Sequence, residues 1–275
     1  MKFNFRPYVL TLLAVMLYSQ AHAEQTEPVL HLTFGKTGQQ FTSTQLLSRP
    51  DVIVLKIPQD IAYGKAMTFK AVPLLALIGN KVDEFDMLEA SATDGYVSQL
   101  PMALIRRGAQ GGSIAWIAIE EASTPWPRLP KKDYSAGPFY LVWQHPATSK
   151  IQNSLWPYAL ATLEGSRSPA MRWPQMAVAH DASHDAARRG LQVFVAHCFT
   201  CHQMKGAGSA TMGPDLGKPM HVTDYFTEKG LRALIRNPMA VRSWPNQQMA
   251  GIDEETLPDA QLEDLIAYFK YMGRR

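Results

Sequence analysis

Cys198-Phe199-Thr200-Cys201-His202 decides the reading of this chain. The spacing C-x-x-C-H has a chemical reason. Two thiols three positions apart on a helical turn can each add to one vinyl group of the same porphyrin. The imidazole next in line then falls under the iron as an axial ligand. The pattern is that of covalent c-type haem attachment. Cys198 and Cys201 are the only two cysteines among 275 residues, so no disulfide or second thiol site competes for them. Zinc needs four ligands, and no second C-x-x-C or spaced histidine pair follows. A thioredoxin-like redox motif needs a βαβ context, whereas a helix is expected before Cys198.

Outward from the motif, residues 186–197 repeat apolar side chains at helical spacing, with Asp185 as the expected cap. Gly190 and Phe194 lie four apart, on one face. Residues 257–272 form a second amphipathic pattern, with Pro258 near its start and Leu262, Leu265, Ile266 and Phe269 marking the buried face beside Tyr268. A shorter helix is expected over residues 227–236. Gly213-Pro214-Asp215-Leu216 follows the attachment motif, and Met249 stands in an extended stretch after Trp244-Pro245-Asn246.

Taken together, these pieces over residues 185–275 resemble a class I monohaem cytochrome c. The resemblance implies an all-α C-terminal domain holding one covalent haem c. In it, a small residue such as Gly190 lets an aromatic such as Tyr268 pack close where the terminal helices cross. His202 would bind the iron on one side. The Pro214 carbonyl would take its Nδ1 proton, which fixes the ring and raises ligand basicity. Met249 would be the opposite axial ligand, although Ala250 stands where many relatives have proline. His221 is the rival for that position. Met204, Met212, Met220 and Met239 are expected to fill the core. His197, on the attachment turn, is expected at the surface or the haem edge.

Residues 24–165 read as an α+β domain. Strands are expected at 29–34, 51–57, 87–92, 97–100, 114–119 and 139–143, each rich in β-branched or aromatic residues and bounded by turn signals. The stretch 41–47 suggests an edge strand followed by a short helix capped by Ser43 or Thr44. Residues 72–79 and 101–105 are expected as helices with proline in the first turn. Residues 155–163 fit a strand or a helix equally. The order of Phe41–Leu47, Tyr63–Phe69 with Val72-Pro73-Leu74, Asp94-Gly95-Tyr96 and Gly137–Val142 resembles the sulfite-oxidase-type molybdopterin-binding domain. Enzymes of that family bind molybdenum through a cysteine thiolate, and residues 24–165 contain none. A soft thiolate is not replaced by a neighbouring serine or methionine. The expectation is therefore a retained fold without molybdenum, in which Asp94 and Tyr96 are turn and packing residues. Residues 166–184 read as a linker, where His180 and His184 are too few to make a metal site.

Residues 1–23 read as a cleaved secretory signal: Lys2 and Arg6, an apolar run from Val9 to Leu17, then Ala21-His22-Ala23 before Glu24. The run is far short of the ~20 residues of a spanning helix. An exported, periplasmic protein with no integral membrane segment is expected. Removing the signal leaves 25 basic against 24 acidic residues, which gives no argument for nucleic acid as a partner. With histidine and methionine on the iron there is no open position for substrate. The reading is an electron carrier rather than an enzyme, working between a redox donor and an acceptor. Lys205, Lys218, Lys229, Arg232 and Arg236 are candidates for steering an acidic partner. The alternatives are a haem subunit or single-chain oxidoreductase of a molybdenum-dependent sulfite-dehydrogenase-like system, and a haem sensor with a displaceable Met249.

Overall fold

The computed structural model describes residues 27–245 and 247–275. The signal expected at 1–23 lies outside these residues. The N-terminal region is rich in sheet. One sheet has the order β2-β1-β9-β5-β6 and the other β3-β4-β7-β8. Their members are β1 (Val29–Phe34), β2 (Thr37–Thr42), β3 (Ile53–Ile57), β4 (Met67–Pro73), β5 (Met87–Ala92), β6 (Val97–Pro101), β7 (Ile114–Ile119), β8 (Phe139–Gln144) and β9 (Leu160–Ser166). All pairs are antiparallel except β1 with β9. Strand β1 alternates, burying Leu30, Leu32 and Phe34. Strands β7 and β8 are apolar almost throughout because they are buried on both faces. The outer edge of β8 is covered: Leu141 N–H donates to the Pro157 carbonyl at 3.0 Å and Trp143 Nε1 to the Leu155 carbonyl at 2.7 Å. A covered edge removes a template for unwanted pairing.

Three short helices complete this region: α1 (Ser43–Leu47), α2 (Leu74–Ile78) and α3 (Met102–Arg107). The cap of α1 is Thr42, not Ser43 or Thr44. Its hydroxyl accepts from Gln45 N at 3.2 Å, and Gln45 Oε1 accepts from Thr42 N at 2.9 Å. A capping box needs Glu or Gln three positions on, and only Thr42 has Gln45 there. Val72 and Pro73 end β4, pairing with Ile117 and Trp116, so α2 begins later than expected. Pro101 likewise ends β6 and caps α3. The ambiguous stretch 155–163 resolves into a short 3-10 turn and the start of β9, which lies inside its sheet between β1 and β5.

Residues 166–184 connect the two parts and are packed at a few positions, while 179–183 are exposed. Helix α4 (Pro169–Arg172) lies here, and Met176 and Val178 are buried among the C-terminal helices. Arg172 pairs with Glu89 of β5, which is only 4 % exposed, and its guanidinium stacks 4.1 Å from the Trp173 ring centre. Trp173 in turn meets Phe199 edge-on at 5.2 Å.

The C-terminal part is helical: α5 (Asp185–His197), α6 (Val222–Tyr225), α7 (Glu228–Arg236), α8 (Pro238–Val241) and α9 (Asp259–Gly273). Asp185 is the first residue of α5 rather than its cap, which is His184. There its carboxylate still favours the positive end of the helix dipole. Helices α5 and α9 cross at Gly190. A Cβ on Gly190 would collide with the Asp264 carbonyl oxygen and stand 2.7 Å from Tyr268 Cβ. The missing side chain lets Phe194 reach Tyr268 and Phe269, with ring centres 5.4 and 6.1 Å apart. Phe194, Leu265 and Tyr268 are fully buried. Each such side chain contributes ~1.5–3 kcal/mol relative to exposure.

Candidate functional site: the Cys198–His202 turn and its surroundings

Helix α5 runs straight into the C-x-x-C-H turn. Cys198 N–H donates to the Phe194 carbonyl at 2.8 Å, and the Cys198 carbonyl accepts from Cys201 N at 3.1 Å and His202 N at 2.9 Å. The turn thus keeps helical geometry, and Phe199 points into the core. Cys198 and Cys201 are not joined to each other as a disulfide. Burial pushes the Cys198 thiol up to about 12. It also raises the Cys201 thiol, with the Asp94 carboxylate adding to the shift. Cys201 Sγ lies 3.6 Å from Met212 Sδ.

His202 Nδ1 stands 2.9 Å from the Pro214 carbonyl oxygen. A carbonyl only accepts, so Nδ1 carries the proton and Nε2 is left with its lone pair. Burial lowers the tendency of His202 to take a second proton, and the Pro214 carbonyl opposes this. Gly213 seats the ring: a Cβ there would lie 2.5 Å from His202 Cε1. The loop carrying Pro214 is held by Asp215, which sequence reasoning passed over. Its Oδ1 accepts from Lys205 N at 2.8 Å and Gly217 N at 2.7 Å, and its Oδ2 from Gly206 N at 2.6 Å. The local signal was an acidic residue two positions from a glycine on either side, Gly213 and Gly217.

Met249 lies between α8 and α9 and is 36 % exposed. Just beyond it the chain is anchored to α7, where Ile252 N–H donates to the Ile235 carbonyl at 3.0 Å and Arg236 Nη1 to the Ile252 carbonyl at 3.0 Å. Met204 is buried as core, as expected, but Met220 and Met239 are exposed. The reason is positional. From residue 185 onward, the exposed large apolar side chains among the described residues are Met220, Tyr225, Met239, Val241, Trp244 and Met249. That stretch lacks protein to bury its apolar surface, and a flat apolar group such as haem would supply it. Two thiols, a histidine with Nε2 free and this apolar stretch fit haem c.

His221 is buried and caps α6. Its Nδ1 is 2.8 Å from the Thr223 hydroxyl, while Nε2 has no hydrogen-bond partner. His197 ends α5, and burial lowers its pKa. The expected steering patch is weaker than the sequence suggests. Arg232 pairs with Glu228 and Glu263, and Arg236 with Asp259. His184 is held by Asp181 at 2.7 Å. No cluster of three or more His, Cys, Asp or Glu suited to a metal occurs among the described residues.

The β5–β6 turn of the N-terminal region lies directly on the attachment motif. Val97 N–H donates to the Thr200 carbonyl at 2.9 Å, and Thr211 N–H to the Gly95 carbonyl at 3.0 Å. The Tyr96 hydroxyl turns inward to the Ser154 carbonyl at 2.9 Å. Burial raises the pKa of that phenol, keeping it protonated.

A helix ending in two thiols and a carbonyl-oriented histidine defines a covalent haem-attachment domain. Residues 187–273 match the family model of cytochrome c. The C-terminal part is a cytochrome c domain, with the haem-based electron-transfer role and redox partners that this entails. Among curated proteins none matches the chain. No helix among the described residues is long and apolar enough to cross a membrane.

Proposed function

We propose that the chain is an exported, periplasmic electron carrier with one haem c, passing single electrons between a redox enzyme and a second carrier or terminal acceptor. Cys198 and Cys201 would hold the group covalently through their sulfurs. His202 Nε2 and Met249 Sδ would ligate its iron. When bound, the haem supplies a one-electron iron couple, and histidine–methionine ligation raises its potential relative to two nitrogen ligands. The protein's own part is positional. Pro214 and Gly213 orient His202, Asp215 holds the Pro214 loop, and α5 against α9 carries the attachment turn. The observation that carries the reading is the 2.9 Å contact between His202 Nδ1 and the Pro214 carbonyl, which leaves Nε2 available to iron.

Residues 24–165 are proposed as a docking module of the sulfite-oxidase-like fold, without molybdenum. Residues 166–184 are the connector and residues 185–275 the cytochrome domain. What supports the docking role is the pair of backbone bonds from Val97 and Thr211, which tie the module to the attachment motif. What supports a module without molybdenum is the lack of any cysteine in residues 24–165.

Replacing Met249 by alanine tests the ligand set. The holoprotein should lose its methionine-to-iron charge-transfer band and bind carbon monoxide readily once reduced. An unchanged low-spin spectrum overturns Met249. Elemental analysis of the purified holoprotein should give iron without molybdenum; stoichiometric molybdenum would instead make the chain an oxidoreductase with its own haem relay.

A further inference from the structure

Strands β7 and β8 are antiparallel neighbours, with Ile119 opposite Phe139. Such a pair closes with roughly 2–5 residues, and loops beyond about 12–15 residues usually carry function. Here the connection takes all of residues 120–138. It is held rather than slack. Pro125, Pro127 and Pro130 each fix a backbone angle. Trp126 N–H donates to Glu120 Oε1 at 2.7 Å, and the Trp126 ring meets Phe69 edge-on at 4.9 Å. Leu129 is buried, and its N–H donates to the Tyr134 carbonyl at 2.8 Å. Two apolar anchors thus pin the loop inward. Outward it presents Arg128, Lys131 and Lys132, all exposed and none ion-paired with a described residue. Lys132 Nζ lies 5.6 Å from the Tyr134 ring centre, a cation–π contact at the surface. Of the loop's acids, Glu120 turns inward to Trp126 and Glu121 pairs with Lys70 at 2.7 Å, which leaves Asp133 against three cations.

The loop also stands close to the attachment motif. Ala159 N–H donates to the Ala136 carbonyl at 2.9 Å, and Thr93 N–H to the Ala159 carbonyl at 3.0 Å. The base of the loop is therefore two strand spacings, about 10 Å, from the β5–β6 turn that rests on Thr200. In the cytochrome domain, by contrast, Arg232 and Arg236 are taken up by Glu228, Glu263 and Asp259. We propose that the β7–β8 loop is the docking surface for the redox partner, and that it fits an acidic face on that partner. A pre-formed loop has little conformational freedom to lose on binding. Its unpaired cations steer an acidic surface toward the side of the molecule that carries the attachment turn. The proposal rests on the electron-carrier reading and adds the partner's charge and its landing place.

The test mixes oxidised full-length holoprotein with reduced flavodoxin, an acidic one-electron donor protein, and follows haem reduction by stopped flow. The wild-type rate constant should fall steeply with ionic strength. Arg128→Gln/Lys131→Gln/Lys132→Gln should react about tenfold more slowly at about 0.01 M salt, where charges act over ~30 Å, and at the wild-type rate at about 1 M, where they act over ~3 Å. The control, Lys36→Gln/Arg107→Gln/Lys229→Gln, removes the same charge elsewhere: Lys36 lies between β1 and β2, Arg107 ends α3 before β7 begins, and Lys229 is on α7. It should slow the reaction less than about twofold. Equal slowing of the two triple variants would overturn the proposal, because net charge and not the loop would then be acting. So would a loop variant as fast as wild type at low salt. Uncharged hydroquinone should reduce wild type and loop variant at the same rate. A haem that hydroquinone reduces in neither would refute the carrier reading, and the docking surface would fall with it.

Discussion

Gly190→Ala opposes two effects of known sign, and the structure says which one wins. Helix propensity alone favours alanine by about 1 kcal/mol. The added methyl, however, runs into the Asp264 carbonyl oxygen, with Tyr268 Cβ at 2.7 Å behind it. A backbone carbonyl cannot swing aside as a side chain can, so α5 and α9 must part. Opening a close-packed crossing by roughly 1 Å forfeits a quarter to a half of each dispersion contact there, and overpacking of this kind costs typically 1–3 kcal/mol. At this junction the steric cost acts on backbone and on Phe194, Tyr268 and Phe269 together, so it is expected near or above the top of that range. The net expectation is a destabilisation of about 2 kcal/mol or more, which for a domain of this size lowers Tm by at least about 8–16 °C. The assay is thermal unfolding of the holoprotein followed by far-ultraviolet circular dichroism. Gly230→Ala on α7 is the control. The nearest atom to a Cβ there is the Thr227 hydroxyl at 3.2 Å, a side chain rather than backbone. That substitution should be neutral or stabilising by up to about 1 kcal/mol. If Gly190→Ala melts at or above the wild-type temperature, the close crossing does not limit this helix pair and the packing argument fails.

Two further outcomes follow from groups buried outside the attachment turn. Arg172→Met leaves Glu89, 4 % exposed, with Gln99 as its remaining side-chain partner. Because Arg172 itself is a quarter exposed, the loss should fall below the 3–5 kcal/mol of a fully buried pair, at about 1–3 kcal/mol. Adding Glu89→Gln should recover part of it in denaturant titrations, and no recovery would mean the charge is not the cause. Asp60 is fully buried, with Oδ1 accepting from Tyr63 N at 2.9 Å and Oδ2 unpartnered. Burial raises its pKa, with these hydrogen bonds opposing. A raised carboxyl pKa means the folded state holds the proton more tightly. The penalty for ionising it is absent below the unfolded-state pKa of about 3.9, and complete above the folded-state value. Asp60→Asn should therefore gain stability relative to wild type at pH 7 and lose that advantage near pH 4. An advantage independent of pH would show that Asp60 is not desolvated at a cost.

The cytochrome c character of residues 187–273 was legible because its determinants are local. The thiol spacing, the imidazole beside it and the small residue four positions before Phe194 are set by covalent neighbours and helical period. Strands β1, β3, β5, β6, β7 and β8 were legible for the same reason, as alternation or apolar runs between turn residues. Boundaries were lost where a residue serves two elements. Pro73 and Pro101 look like helix starts but end strands, and Thr42 takes the cap because Gln45 answers it. Residues 155–163 carry too mixed a pattern to reveal β9 without the two strands that flank it.

Other features depended on which groups remain unpaired after the chain has folded, and no window of neighbouring residues contains that information. The connector at 166–184 looks like linker by composition, yet Met176 and Val178 are buried and Trp173 half-buried because the C-terminal helices and Phe199 offer them apolar surface. The exposed Met220 and Met239 show the opposite case, apolar residues with no protein against them. The bond from Val97 to Thr200 exists because β6 is an edge strand whose outward N–H meets an outward carbonyl of the attachment turn. The sequence alone determined Cys198-Phe199-Thr200-Cys201-His202 and the helices that carry it. Tertiary structure decided that Pro214 faces His202 and that the β5–β6 turn rests on Thr200.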